Sequence, residues 1–249
     1  MKLFDQRFVQ PAALTEVELP INSEGFVSQA AVSRAFVSVF GGKFCDAILL
    51  NRKRTSFKKK QVLYEVGDTE RTLFFLLDGF VKVGTVTSDG HEVIYDVRKG
   101  GDVIGELCAS ETCRPERAVA LEQTEAIAVP HYDVMEVVRK HPELLAPLVD
   151  VFCQALKEAY SQVNALAVDD LPHRLVNVLL RLSRKVGHNL GQAVELSIYL
   201  TQEELSQMVA ARRERVSTAL NSLRRSGAIE YSKHGNLVLN IENLKSHIR

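Results

Sequence analysis

The segment that begins at Thr201 has the most regular hydrophobic pattern in the chain. Its apolar residues recur at the three- and four-residue steps of two successive helices: Leu205, Met208 and Val209, then Val216, Leu220 and Leu223. Thr201 and Glu204 have the spacing of a capping box, which starts the first helix. The corner at Ala210 and Ala211 is small enough for the two helices to cross closely. The pattern predicts a helix-turn-helix.

The second of these predicted helices opens with long polar side chains. Arg213 and Glu214 stand in its first turn, where a helix in the major groove meets base edges. The candidate DNA contacts are Thr201, Arg212, Arg213, Glu214, Arg215, Ser217, Thr218, Arg224 and Lys233. The alternative is an ordinary helical hairpin with a solvated basic face.

Two short apolar runs follow the helices, at residues 229–231 and 237–239, with a polar turn between them. A helix pair followed by such a hairpin is a winged helix. Its turn would bring Lys233 and His234 close to phosphate groups.

The front half of the chain has a different hydrophobic pattern. Between residues 51 and 131, short β-type runs alternate with glycine turns, and residues 87–90 have the composition of a hairpin turn. Seven or eight such runs at about ten-residue spacing predict an all-β barrel or jelly roll.

A long helical pattern joins the two halves, from His141 to about Val168. Its apolar residues recur at three- and four-residue steps: Leu145, Leu148, Phe152, Ala155, Ala159 and Leu166. A helix packed on its own domain would show a similar pattern. We favour a dimer seam, because reading two half-sites of DNA requires a two-fold protein. Residues 169–172 then break the helix and form a hinge.

Charge is divided unevenly along the chain. Twelve Lys and Arg face six Asp and Glu from residue 171 onward, so this part carries about +6, whereas the whole chain is formally neutral. A basic tail of this kind favours DNA as the partner. Hydrophobic content of 46% is that of a soluble globular protein. Without a long apolar run or a signal-like N-terminus, we expect a cytoplasmic protein that does not bind membranes.

One glycine-rich loop carries candidate binding chemistry. Residues 101–120 offer a turn at Gly105, a carboxylate at Glu106 and a guanidinium at Arg117, which together could cradle a phosphate and a sugar hydroxyl. A surface ion pair between Glu106 and Arg117 is the alternative.

Four cysteines are scattered along the chain, at positions 45, 108, 113 and 153, without metal-ligand spacing. We expect no metal site and reduced structural thiols. A redox role for Cys113, which is flanked by arginine, stays open. No nucleophile elbow, Walker loop or aligned metal cluster suggests an enzyme, so no catalytic residue is assigned.

The loop and the helix-turn-helix together resemble the cyclic-AMP receptor protein and fumarate-nitrate reduction regulator family of bacterial transcription regulators. The resemblance covers residues 44–240, with Arg213 and Glu214 on the family's base-reading pair. It implies that Glu106 holds the ribose of a cyclic nucleotide such as cyclic AMP and that Arg117 neutralises its phosphate. The ligand-binding candidates are Gly105, Glu106, Leu107, Arg117, Ala118 and Tyr160.

Four positions depart from the family pattern. Ala118 replaces the hydroxyl residue that usually follows the arginine, and Ala159 with Tyr160 replaces the adenine-contacting pair. Each lost hydrogen bond to the base removes on the order of 1 kcal/mol. Thr218 replaces the third base-reading arginine, which favours contact with a thymine methyl at that base pair.

The sequence therefore predicts an α+β protein with four parts. An N-terminal arm spans 1–25, a cyclic-nucleotide-binding-like β jelly roll 26–140, a dimerisation helix 141–168 and a winged helix-turn-helix 169–249. The expected partners are double-stranded DNA with a pseudo-palindromic operator, a second copy of the chain and RNA polymerase. Two alternatives stay open: the same regulator acting without cyclic AMP (constitutive, or controlled by cyclic di-GMP or thiol redox), and a nucleotide-sensing module that acts on a protein partner.

Overall fold

A computed structural model describes residues 48–49, 51–109 and 112–248. The predicted N-terminal arm and Cys45 lie outside the described residues. The front half forms eight strands, as predicted: β1 (Arg54–Phe57), β2 (Val62–Tyr64), β3 (Thr72–Asp78), β4 (Phe80–Val86), β5 (Glu92–Lys99), β6 (Val103–Ile104), β7 (Arg117–Ala120) and β8 (Thr124–Pro130).

The eight strands form two antiparallel sheets that face each other. Their orders are β1-β8-β3-β6 and β2-β7-β4-β5, the arrangement of a jelly roll. Alternate side chains of both sheets fill the space between them, including Leu76, Val81 and Ala118. Phe74 stands at one end of this core, edge-on to Phe57 and stacked on Tyr64.

Two helices follow the roll, separated by a 3₁₀ turn at Pro142–Leu144: α1 (His131–Lys140) and α2 (Leu145–Val168). Helix α2 leaves an apolar stripe exposed to solvent, formed by Leu145, Val149, Phe152, Leu156, Tyr160, Val163 and Leu166. The stripe is rotated from the predicted seam, because Leu148 packs against the core of its own sensor domain and Ala155 is half-buried.

The back half is a winged helix-turn-helix, as predicted. Its elements are α3 (Leu171–Val186), β9 (Gly187–Asn189), β10 (Ala193–Leu196), α4 (Gln202–Met208), α5 (Arg213–Arg225), β11 (Ile229–Tyr231), β12 (Leu237–Asn240) and α6 (Ile241–Ser246). The strands form one sheet in the order β11-β12-β10-β9. The hairpin β9–β10 was not predicted, because β9 is short, exposed and has no apolar alternation.

The two halves pack against each other through β5. Ile94 and Val97 from β5, with Leu121, belong to the same buried cluster as the core of the winged helix. At the edge of this contact, Lys185 from the last turn of α3 is 2.5 Å from Asp96 of β5. In the part of the chain that the structure describes, no helix is long and apolar enough to cross a bilayer.

Candidate DNA-reading and ligand-binding sites

The capping box fixes the start of α4. The Thr201 Oγ1 accepts a hydrogen bond from the Glu204 backbone N–H (3.1 Å), and Glu204 accepts one from the Thr201 N–H (2.9 Å). The chain then turns at Ala210, whose backbone has a left-handed conformation (φ 49°). This corner sets the direction in which α5 leaves.

Helix α5 has one buried and one open face. Val216, Leu220 and Leu223 are buried against the domain core. The side chains at its N-terminal end, Arg213, Glu214 and Arg215, are exposed, and Arg212 caps the helix through its backbone alone. Within the described residues, none of these arginines forms an ion pair. Their charges are therefore available to a partner.

The open face continues toward the helix C-terminus as a shallow concavity of about 580 Å³ lined by Thr218, Asn221, Arg224 and Arg225. The Thr218 hydroxyl donates to the backbone carbonyl of Glu214 (3.0 Å), so its proton is engaged, and its methyl group and its oxygen remain for a ligand. Asn221 was not a predicted contact, although its position one turn after Ser217 on α5 would have revealed it. Ser217 itself is half-buried.

The wing places two further polar side chains at the surface. Lys233 and His234 are exposed in the turn between β11 and β12, which Gly235 closes with a left-handed backbone (φ 84°). The Ser232 hydroxyl holds this turn by accepting a hydrogen bond from the Asn236 N–H (3.2 Å).

The candidate ligand loop begins at Gly105, which only glycine fits. Its φ is 84°, and a Cβ there would lie 2.7 Å from Arg114 Nη1 and 2.9 Å from the Thr72 carbonyl. A 3₁₀ turn, Glu106–Ala109, follows. The Glu106 carboxylate faces Arg98 of β5, at 3.5 Å from Nη2.

Arg114 is a fully buried arginine of the roll, and sequence reasoning did not select it. It is 2% exposed, lies 4.0 Å over the Tyr64 ring and donates from Nη2 to the Thr72 carbonyl (2.5 Å). Its Nε and Nη1 have no hydrogen-bond partner among the described residues. Buried donors usually have a hydrogen-bond partner, and a guanidinium is well suited to bind an anion.

Glu116 adds a second carboxylate to this interior. It is 4% exposed and accepts a hydrogen bond from the Tyr64 hydroxyl (2.8 Å). Burial first, and then the negative charge of Glu106, raise the pKa of Glu116 to about 7. Burial and Glu116 together also raise the pKa of Tyr64.

The remaining predicted ligand residues lie on β7, in the 3₁₀ turn and on α2. Arg117 lies beside Glu65 (Nε to Oε1, 3.2 Å), so the alternative ion pair between Glu106 and Arg117 does not form. Ala118 is fully buried on β7, and Leu107 is exposed in the 3₁₀ turn. Tyr160 is 62% exposed on the apolar stripe of α2.

The described cysteines are unpaired. Cys108 is buried in the sensor core, and burial raises the pKa of its thiol, which makes it a poor nucleophile. Cys113 and Cys153 are exposed.

Comparison with known proteins agrees with this division of the chain. The protein-family model of the cyclic nucleotide-binding domain matches residues 54–141. The protein-family model of the Crp-like helix-turn-helix domain matches residues 173–246. The chain is 26% identical over 219 residues to the CRP-like cAMP-activated global transcriptional regulator of Mycobacterium tuberculosis, covering 86% of this chain and 98% of that protein.

Two further relatives agree. Identity is 27% to the cAMP-activated global transcriptional regulator Vfr of Pseudomonas aeruginosa, over 75% of this chain and 89% of Vfr. A solved CRP/FNR-family transcriptional regulator from Thermus thermophilus is 27% identical, with a TM-score of 0.65 over 78% of this chain and 97% of that one. The chain belongs to the family of cyclic-AMP receptor protein and fumarate-nitrate reduction regulators, which are DNA-binding transcription regulators.

Proposed function

We propose that this chain acts as a homodimer that binds a pseudo-palindromic DNA operator and changes its DNA affinity in response to a small anionic ligand in the β roll. The observation that carries the proposal is the exposed cationic end of α5, whose direction is set by the corner at Ala210. Contact with RNA polymerase and a cytoplasmic location remain predictions.

Helix α5 supplies the groups for base reading. Arg213 has the bidentate donor geometry that suits guanine O6 and N7, and Glu214 can accept from a cytosine amino group. The Thr218 methyl suits a thymine methyl, since its hydroxyl is already bonded to the helix. Arg212, Arg215, Arg224 and Lys233 suit phosphates, because they are exposed cations around this helix and the wing.

A cyclic nucleotide is our first candidate for the ligand. The unpartnered nitrogens of Arg114 suit a cyclic phosphate, and the Glu106 carboxylate suits ribose hydroxyls. This assigns to Arg114 the role that the resemblance alone gave to Arg117. The activation of two relatives by cyclic AMP supports the choice of nucleotide.

A second candidate is the same DNA-binding regulator acting without a nucleotide. The hydrogen bond between Glu116 and Tyr64 favours it, because this pair lies in the roll interior beside Arg114. An ionised Glu116 would repel a cyclic phosphate.

The experiment combines DNA selection with ligand titration. Bound sites are recovered from a random duplex library, and their affinity is measured by fluorescence anisotropy with and without cyclic AMP or cyclic di-GMP. We expect cyclic AMP to raise the affinity by about fivefold or more. The response should be lost in Arg114→Gln and kept in the matched variant Arg117→Gln.

The other outcomes separate the alternatives. DNA binding with the same affinity in the presence and absence of both nucleotides would support the second candidate. A response to cyclic di-GMP alone would identify cyclic di-GMP as the ligand in place of cyclic AMP. Failure to enrich any duplex would contradict DNA reading and favour a module that acts on a protein partner.

A further inference from the structure

We propose that Asp96 and Arg98 form an ion-pair relay through which the ligand loop, at Glu106, controls the docking of the DNA-binding domain, at Lys185. The relay rests on the proposed function for its purpose, since it explains how a ligand in the roll would alter the position of α5. Its existence can be tested without DNA and without ligand.

Four charged side chains from three parts of the chain form a continuous series of ion-pair contacts. Glu106 of the ligand loop is 3.5 Å from Arg98 Nη2 on β5. The same guanidinium is 3.1 Å, from Nε, to Asp96 Oδ2, and that oxygen is 2.5 Å from Lys185 Nζ of α3. Because Asp96 and Arg98 are two residues apart on one strand, they point to the same face of the sheet.

These four charged side chains are largely shielded from water. Side-chain exposure is 9% for Asp96, 20% for Arg98, 19% for Glu106 and 17% for Lys185. Charges at such depth interact more strongly than surface pairs, which solvent screens. A change at one end therefore reaches the other.

Arg98 is divided between two carboxylates. Its Nη2 donates a long hydrogen bond to Glu106 Oε1 (3.5 Å), whereas its Nε lies close to Asp96 but forms no hydrogen bond among the described residues. Burial lowers the pKa of Arg98, but the surrounding carboxylates of Asp96, Glu106, Asp102 and Glu158 outweigh it, so the net pKa is raised and the group stays charged.

The sign of the coupling follows from the shared oxygen. Arg98 and Lys185 both approach Asp96 Oδ2, so they compete for it. When Glu106 is engaged by a ligand hydroxyl, Arg98 loses that partner and turns fully to Asp96. Lys185 is then displaced, and the DNA-binding domain loses a polar contact that holds it against β5.

The test uses a fluorescent reporter in the domain contact. The chain contains no tryptophan, so Phe80→Trp gives a single emitter. Phe80 is partly buried against the cluster shared by the two domains. Acrylamide quenching of this tryptophan then measures how much of the protein is undocked, in the full chain and without added ligand.

In this background we expect Glu106→Gln and Lys185→Gln each to shift the docking equilibrium about fivefold toward the undocked form. The matched controls are Glu65→Gln, a carboxylate paired with Arg117, and Arg184→Gln, which neighbours Lys185 on α3. Both should leave quenching unchanged.

The decisive comparison removes the middle of the relay. In Arg98→Met, Glu106→Gln should have no further effect, because its signal passes through the guanidinium. If Arg98→Met does not fold, Arg98→Lys replaces it, since one ammonium cannot contact both carboxylates. An effect of Glu106→Gln that persists without Arg98, or that equals the effect of Glu65→Gln, overturns the relay. A protein that fails to bind DNA but passes this comparison would refute the proposed function and leave the relay standing.

Discussion

At the scale of single residues, the roll interior is governed by the pairing of buried charges. Glu116 shares the space around Tyr64 with Arg114, yet its pKa is raised to about 7 because burial and Glu106 oppose its ionisation. The folded protein therefore holds this proton more tightly than the unfolded chain does. The contribution of Glu116 to the free energy of unfolding therefore decreases as pH rises from the ordinary glutamate range to about 7, and levels off above it.

We predict that Glu116→Gln abolishes this decrease. A shift of this size corresponds to about 3 kcal/mol at most, so the variant should exceed the wild type in stability at pH 8 and lose that advantage below pH 5. Urea unfolding at several pH values measures the effect, with Glu65→Gln as the control. Equal pH dependence in Glu116→Gln and wild type would show that folding does not shift the pKa of Glu116.

At the scale of elements, the two ends of α5 have different predicted roles: one end contacts bases and the other contacts phosphates. Arg213 lies at the helix end that would enter the groove, whereas Arg225 lies in the last turn. We predict that Arg213→Ala costs about 1–3 kcal/mol at the selected site and relaxes preference at one base pair. Arg225→Ala should weaken binding to all duplexes alike. It should also reduce the magnitude of the slope of log affinity against log salt concentration by about 1.

Anisotropy titrations at several salt concentrations, with the selected duplex and single-base variants of it, measure both effects. Arg184→Ala is the control, since it removes the same charge from an exposed site on α3. Loss of base preference in Arg225→Ala rather than in Arg213→Ala would mean that α5 enters the groove by its other end.

Elements fixed by local chemistry could be predicted from the sequence. The capping box at Thr201, the corner at Ala210 and the hairpin at residues 87–90 each depend on neighbours within a few positions, and the structure confirms them. The burial of Arg114 could not be predicted, because it depends on the register of β7. That register puts Arg117 in line with Gly84 and leaves Arg114 in the loop before the strand.

The same limit applies to contacts between distant segments. Lys185 and Asp96 are far apart in the chain, and only the packing of the winged helix on β5 brings them together. Likewise, the helical period of α2 predicted an apolar seam, but which residues face outward depends on how the helix packs on its own roll. Leu148 packs inward for that reason, whereas Val149 is exposed.

At the scale of the whole molecule, the apolar stripe on α2 requires a partner. Seven large apolar side chains at seam spacing are exposed in one chain, which is unusual for a stable monomer. A second copy would cover the stripe about a two-fold axis and place two α5 helices for two half-sites. Tyr160, which the resemblance assigned to the ligand, lies in this stripe and would meet the partner chain.

We predict that Leu156→Lys yields a monomer, because each dimer would bury two unpaired ammonium groups in the seam. Affinity for the full operator should decrease by about 100-fold or more, since the second half-site is no longer bound within one complex, whereas affinity for an isolated half-site should be unchanged. Sedimentation velocity and anisotropy measure the two effects.

Gln154→Lys, which adds the same charge to the exposed helix surface outside the stripe, should remain dimeric. A dimeric Leu156→Lys protein with full operator affinity would show that the two-fold contact lies elsewhere, and the stripe would then need another occupant.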